Sequence, residues 1–161
     1  MKLNLGCGKD VLYGYDNYDI NPIDKRVRYI DLEERLPFKD NYANEIRLLS
    51  VLEHINNRLQ LIKECERVLC GNGRLLVRVP FFRCHEVGGD ITHKLGFTLD
   101  AFRRLSSVGS NLKVIQEQII LFPIFRWIPK RIAYLLSLYS IPFNMVYQIG
   151  ITLKKSEARK E

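Results

Sequence analysis

Two glycines separated by one residue, Gly6 and Gly8, stand directly after a short apolar stretch, and carboxylates follow at Asp19 and Asp31. Glycine has no Cβ, so a chain can turn sharply there and let a ligand touch its backbone. A carboxylate at the tip of the next strand can accept both hydrogen bonds of a ribose diol. A carboxylate one strand further out can reach an adenine amino group. A second group of residues is suited to proton chemistry: His54, directly after Glu53, and then His85, Asp90 and His93. Imidazoles and carboxylates move protons when held against a substrate, and they also ligate several metal ions. Two histidines and an aspartate in a polar loop are more often substrate contacts or surface residues than metal ligands; His54, His93 and Asp90 are the candidates for acceptor contact or proton transfer. No metal is expected.

These residues need strands to carry them. Residues 2–5 read as a first strand, Tyr15–Asp19 as a second and Val27–Asp31 as a third, each delivering its glycine or carboxylate at its end. Only Lys9–Gly14 and Asn21–Arg26 connect them. A parallel crossover needs a dozen or more residues, usually a helix, so two helices are missing from one side of the sheet. The apolar side chains expected on that side must then be covered by a second copy of the chain or by another protein. Glu45–Ser50 reads as the fourth strand. Leu52, Ile55, Leu59, Ile62, Cys65 and Leu69 recur at close to helical period, which predicts a helix over 52–69, stopped by Gly71-Asn72-Gly73. Arg74–Val79 is the fifth strand, and the helix before it closes a right-handed parallel unit. Residues 85–97 read as a loop, Thr98 as the cap of a helix reaching Leu105, and Lys113–Leu121 and Tyr147–Leu153 as the last strands.

In this order, Leu3-Asn4-Leu5-Gly6-Cys7-Gly8, Asp19, Asp31-Leu32, Leu36–Asn41 and Val51-Leu52-Glu53-His54-Ile55 resemble the class I S-adenosylmethionine-dependent methyltransferases. Within them the likeness is to the small methyltransferase type 11 group, and it covers residues 2 to about 107. The resemblance implies an α/β fold: a Rossmann-like, mostly parallel seven-stranded sheet with an antiparallel last strand, here with helices A and B largely missing. It implies S-adenosyl-L-methionine as cofactor. By that resemblance Gly6 and Gly8 face the methionine moiety, Asp19 the ribose, and Asp31 with Leu32 the adenine, and Cys7 and Ile20 are counted with them among the cofactor-binding residues. Ser50, where the group often has histidine, lies near the sulfonium. Cys7 reads as a small packing residue of the turn. The implied activity is methyl transfer to a small-molecule, sugar or lipid-linked acceptor. A non-catalytic partner or regulatory subunit with the same fold is the alternative. A nucleic-acid methylase is disfavoured, because Leu48-Leu49-Ser50-Val51 stands where an Asn-Pro-Pro-Tyr-type motif belongs.

The chain has 161 residues, enough for one domain with a real core, read as spanning 1–161. A net charge of +7 would suit an acidic partner, but the basic residues come in scattered pairs, which favours a solvated basic surface. Four cysteines without a CxxC motif predict free thiols in a reducing cytoplasm, and no leader segment is recognised. Residues 122–144 read as a helical apolar and basic insertion before the last strand. An amphipathic helix on the domain is favoured; peripheral membrane contact through 122–140, anchored by Trp127, is the alternative. From Ile132 to Leu153 the chain is uncharged, but Pro142, Asn144, Gln148 and Gly150 argue against a membrane span. The tail, 154–161, is expected to fray.

Overall fold

Alternate residues of the central strands differ in kind. Leu3, Ile46, Leu48, Leu75, Val77, Ile149 and Ile151 are apolar, while Asn4, Glu45, Arg47, Arg74 and Arg78 stand between or beside them. Successive strand residues point to opposite faces, so this alternation prescribes one apolar and one polar face. The computed structural model describes residues 1–139 and 145–156. Its strands are β1 (Lys2–Leu5), β2 (Asp16–Asp19), β3 (Val27–Tyr29), β4 (Ala43–Leu49), β5 (Leu69–Pro80), β6 (Leu112–Leu121) and β7 (Val146–Lys155). Its α-helices are α1 (Arg58–Val68), α2 (His85–Gly89), α3 (Leu99–Arg103) and α4 (Lys130–Tyr139). The sheet has seven strands in the order β3-β2-β1-β4-β5-β7-β6. The first five run parallel, and β7 is antiparallel to both of its neighbours. This is the expected Rossmann-like sheet. Strand order reverses between β1 and β4, the switch point at which such sheets bind ligands outside their carboxyl ends.

The apolar face is the core. Leu61, Ile62, Cys65 and Val68 of α1, Leu99 and Phe102 of α3, and Ala133 and Tyr134 of α4 join the buried strand residues in one cluster. No helix lies between β1 and β2 or between β2 and β3, as the short connections require. The expectation that the helix-free face is apolar and must be covered is corrected, because most of its side chains are polar, with Leu49 and Leu76 half-buried among them. Asn4 and Asn17, both buried, hold the 9–15 segment flat on that face. Asn4 Nδ2 donates to Asp10 O (2.8 Å) and to Asn17 Oδ1 (2.9 Å). Asn17 accepts from Leu12 N–H (2.9 Å) and donates to Leu12 O (2.9 Å) and Tyr15 O (3.0 Å). The Tyr15 hydroxyl donates to Glu45, and burial together with that carboxylate pushes its pKa up to about 12. Arg47 pairs with Asp10 at 3.5 Å. Further along the same face Arg74, Arg78, Lys113 and Gln118 stand in solvent.

Other boundaries move as well. The helix predicted from Leu52 begins at Arg58, with Asn57 as its cap, Oδ1 accepting from Gln60 N–H at 3.2 Å. Residues 51–56 form turns, His54 N–H donating to Val51 O and Ile55 N–H to Leu52 O. Leu52 and Ile55 are nonetheless buried, so their periodicity reported burial and not helix. Gly71–Gly73 do not stop α1, which passes straight into β5 at Leu69. The glycines lie inside β5 where its register against β4 slips, with Asn72 at φ +64°. The 85–97 loop contains the short helix α2. Thr98 occupies the N-cap position of α3 without a side-chain cap bond.

In the 122–144 segment a 3₁₀ turn (Pro123–Phe125) precedes α4, while residues 140–144 lie outside the described residues, as does most of the tail expected to fray, 157–161. α4 turns Ala133, Tyr134 and Ser137 inward and leaves Ile132, Leu135 and Leu136 outside. The Tyr134 hydroxyl accepts from Leu99 N–H (3.0 Å) and the Ser137 hydroxyl from Met145 N–H (2.9 Å). Among the described residues no helix is long and apolar enough to cross a membrane.

Candidate active site

The parallel topology carries the ends of β1 to β5 to one edge. There Gly6 (φ +66°) and Gly8 (φ +50°) both adopt left-handed backbone, which favours glycine. A Cβ on Gly6 would lie 2.6 Å from a Val51 methyl, whereas the space beside Gly8 is open. Cys7 between them is buried, and its thiol pKa is raised by burial and then by the Asp19 charge. Asp19 ties the turn to the end of β2. Its Oδ2 accepts from Gly8 N–H (2.7 Å) and its Oδ1 from Asn21 N–H (2.9 Å). A carboxylate has about four acceptor sites, so each oxygen keeps capacity for a further donor. Ile20 beside it is 63% exposed, an apolar wall open to a ligand. Asp31 lies just past β3, one oxygen accepting from Glu33 N–H (2.9 Å), and Leu32 is buried. Ser50, at the mouth of β4, is exposed and holds φ +55°, a conformation uncommon for a residue with a side chain.

Beyond Ser50 a cavity of about 570 Å³ is lined by Ser50, Glu53, His54, His85, Gly89, Asp90, His93, Tyr147 and Gln148. A larger hollow of about 830 Å³ between α3, α4 and β6 has neither the glycine turn nor a histidine among its lining residues. Asp90 Oδ1 accepts from both the amide (2.8 Å) and the hydroxyl (2.7 Å) of Thr92. Those two bonds, the hydroxyl's first, hold the Asp90 carboxyl below its usual range. The Thr92 hydroxyl also lies 3.0 Å from His54 Nδ1. A hydroxyl has one proton. Since Asp90 is an acceptor, Thr92 donates to it and must accept from His54 Nδ1–H. That assigns the tautomer of His54 and leaves its lone pair on Nε2. The His54 and His93 rings lie 4.7 Å apart, and His93 Nε2 is 3.8 Å from Asp90 Oδ2.

The predicted His54, Asp90 and His93 are therefore brought together. His85 stands at the rim, its ring 5.5 Å from that of Phe122. Two residues escaped the sequence reading. Glu53 is buried to 1% exposure in the same wall; its adjacency to His54 was the available signal. Glu33 accepts from Asn56 N–H (2.7 Å) and its amide (2.9 Å) and lies 3.6 Å from Lys94. It thus joins the end of β3, the turn before α1 and the histidine loop. The Asn56 amide, foremost, lowers its pKa. No local pattern could have shown this, because the partners lie far along the chain.

Residues 16–77 match the type 11 methyltransferase-domain family, a match that begins after the glycine turn. Among solved structures, the chain resembles an S-adenosylmethionine-dependent methyltransferase from Archaeoglobus fulgidus, with 16% identity, TM-score 0.68, and 96% of this chain and 85% of that one covered. It resembles a Haloferax volcanii complex between a methyltransferase activator and a protein described as a methyltransferase (14% identity, TM-score 0.67, covering 99% and 83%). It also resembles the [4+2]-cyclase SpnF (15% identity, TM-score 0.65, covering 98% and 75%). At such identities the likeness is one of fold. No curated protein sequence matches the chain.

Proposed function

We propose that this chain, by fold and family match one of the class I methyltransferases of type 11, binds S-adenosylmethionine at its glycine turn. It transfers the methyl group to a small-molecule, sugar or lipid-linked acceptor in the histidine cavity. The observation that carries this reading is the Asp19 clamp. A carboxylate at the end of β2 is held against the left-handed Gly6–Gly8 turn, at the switch point, with acceptor capacity to spare. The residues present fit the cofactor: backbone open to approach at Gly8, acceptors for ribose hydroxyls and an adenine amino group at Asp19 and Asp31, and an apolar wall at Ile20.

S-adenosylmethionine supplies a methyl group already activated on a sulfonium. The protein's work is then chiefly to hold donor and acceptor in line and exclude water. Gly6, Gly8 and Asp19 fix the nucleoside end. Ser50, at the boundary between turn and cavity, positions the reacting end. His54 Nε2 is the basic nitrogen available to an acceptor that must lose a proton. Trp127, Leu135 and Leu136, all exposed, offer apolar surface that a lipid-linked acceptor could use.

The test is calorimetric titration with S-adenosylmethionine and S-adenosylhomocysteine, followed by labelled methyl transfer to candidate acceptors. The expected result is binding of both, weakened at least about tenfold by Asp19→Ala, since a lost hydrogen bond to a charged group is worth about 1.5–3 kcal/mol. Absence of binding by the folded protein would overturn it. A second reading, a methyltransferase-fold subunit acting through a partner, has support in the likeness to a methyltransferase solved in complex with its activator. Cofactor binding without transfer to any acceptor, rescued by a co-purifying protein, would select it.

A further inference from the structure

We infer that Glu53, His54 and His93 form a binding site for a divalent first-row transition-metal cation on the inner wall of the acceptor cavity. One carboxylate oxygen of Glu53 and one ring nitrogen from each histidine all lie within 4.8 Å of one another. Metal–ligand bonds of about 2.1 Å place neighbouring donors roughly 3–3.5 Å apart, so a contraction of about an ångström or two closes the set. The three donors come from two segments, the turn after β4 and the loop after α2. The backbone bond from Lys94 N–H to Glu53 O (2.8 Å) fastens these together.

A second observation is independent of that proximity. Metal-bound histidines almost always donate their other ring nitrogen to an orienting acceptor, often backed by a carboxylate. His54 has this arrangement in place: Nδ1–H to the Thr92 hydroxyl, and that hydroxyl to Asp90. The relay holds the ring through Nδ1 and leaves Nε2 as the nitrogen that would ligate a cation. Its two outer members, Thr92 and Asp90, are not among the three donors.

The donor set selects the ion. Two imidazoles and one carboxylate suit Mn²⁺ to Zn²⁺ better than Mg²⁺ or Ca²⁺, which prefer oxygen. Three protein ligands leave coordination positions open, as catalytic sites do, and the open side is the cavity that Ser50, Tyr147 and Gln148 complete. On the methyl-transfer reading, and only there, this names the acceptor class as a hydroxyl compound. Its oxygen would be held at the cation, its proton lost to solvent, and His54 would serve as a ligand and not as the base.

The experiment uses the untagged, chelator-treated chain without any methyl donor. It is titrated with Co²⁺, read by visible absorption and by calorimetry. The expected result is one equivalent bound with the absorption of a nitrogen- and oxygen-ligated ion, displaced by Zn²⁺ and not by Mg²⁺. His54→Ala and His93→Ala should each weaken binding at least about tenfold. Thr92→Val should weaken it about 10- to 100-fold, the usual effect of losing an orienting partner, with an unchanged melting temperature. Arg78→Ala, on the far sheet face, should change nothing. No Co²⁺ binding by the wild-type protein, or binding indifferent to both histidines, overturns the site. Co²⁺ binding by a protein that binds no S-adenosylmethionine leaves it standing and overturns the methyl-transfer reading instead.

Discussion

On the helix-covered side of the sheet, Leu3, Ile46, Leu48, Leu75 and Ile149 have no solvent exposure. On the other side, Arg74 and Arg78 of β5 and Gln118 of β6 stand in water, and the 9–15 segment is strapped down by Asn4 and Asn17. One side is held by apolar burial and the other by satisfied hydrogen bonds. A sheet can lose two of its helices and remain closed to water where it must be, provided the outward positions of its strands turn polar. The carboxyl edge of the sheet survives that loss because it is built from strand ends, which belong to neither face.

The largest effect should come from the covered face. Leu48→Ala should cost about 2–5 kcal/mol, the usual range for a buried leucine, measured by urea denaturation. A loss under about 1 kcal/mol would mean that the helices do not seal that face. Next comes the polar strap. Asn17→Leu keeps the side chain's approximate size but leaves the buried Asn4 amide and the 12–15 backbone groups short of partners, for about 1–3 kcal/mol. If Asn17→Leu instead stabilised the protein, the face would be an apolar one in disguise, and association between copies should be sought by sedimentation.

A pH effect should be smaller and confined to the covered side. Glu64 accepts from Arg67 (2.7 Å) and from Leu36 N–H (3.0 Å), and Arg67 foremost lowers its pKa. A depressed carboxyl contributes stability above its unfolded pKa, about 4.3. That stability is lost as pH falls from there through the folded value. Glu64→Gln should therefore flatten the acid limb of the stability profile and leave the slope near pH 7 unchanged. The smallest effect should be Arg78→Ala on the open face, within about 0.5 kcal/mol. A larger cost would show that this face carries structure of its own.

Much of the carboxyl edge of the sheet was legible beforehand. A glycine pair after one strand and a carboxylate after each of the next two are local patterns, and parallel topology does the rest. The histidine cavity was only partly legible. The apolar spacing of Leu52 and Ile55 was read as helix, which would have rotated Glu53 and His54 around an axis. The structure keeps residues 51–56 as turns, and this sets both side chains in the wall of the cavity.

The sequence by itself determined the strands, the short crossovers, the left-handed glycines and the order in which carboxylates reach the sheet edge, because each follows from backbone sterics and short-range periodicity. Only the tertiary structure decided that the helix-free face is polar and closed by asparagines. It alone decided that Thr92 and Asp90 assign the proton on His54, that Glu33 ties three loops together, and that Glu53 meets His93. These are contacts between segments distant in the chain. Their energies depend on which groups share a buried volume, and that is a property of packing that no run of neighbouring residues encodes.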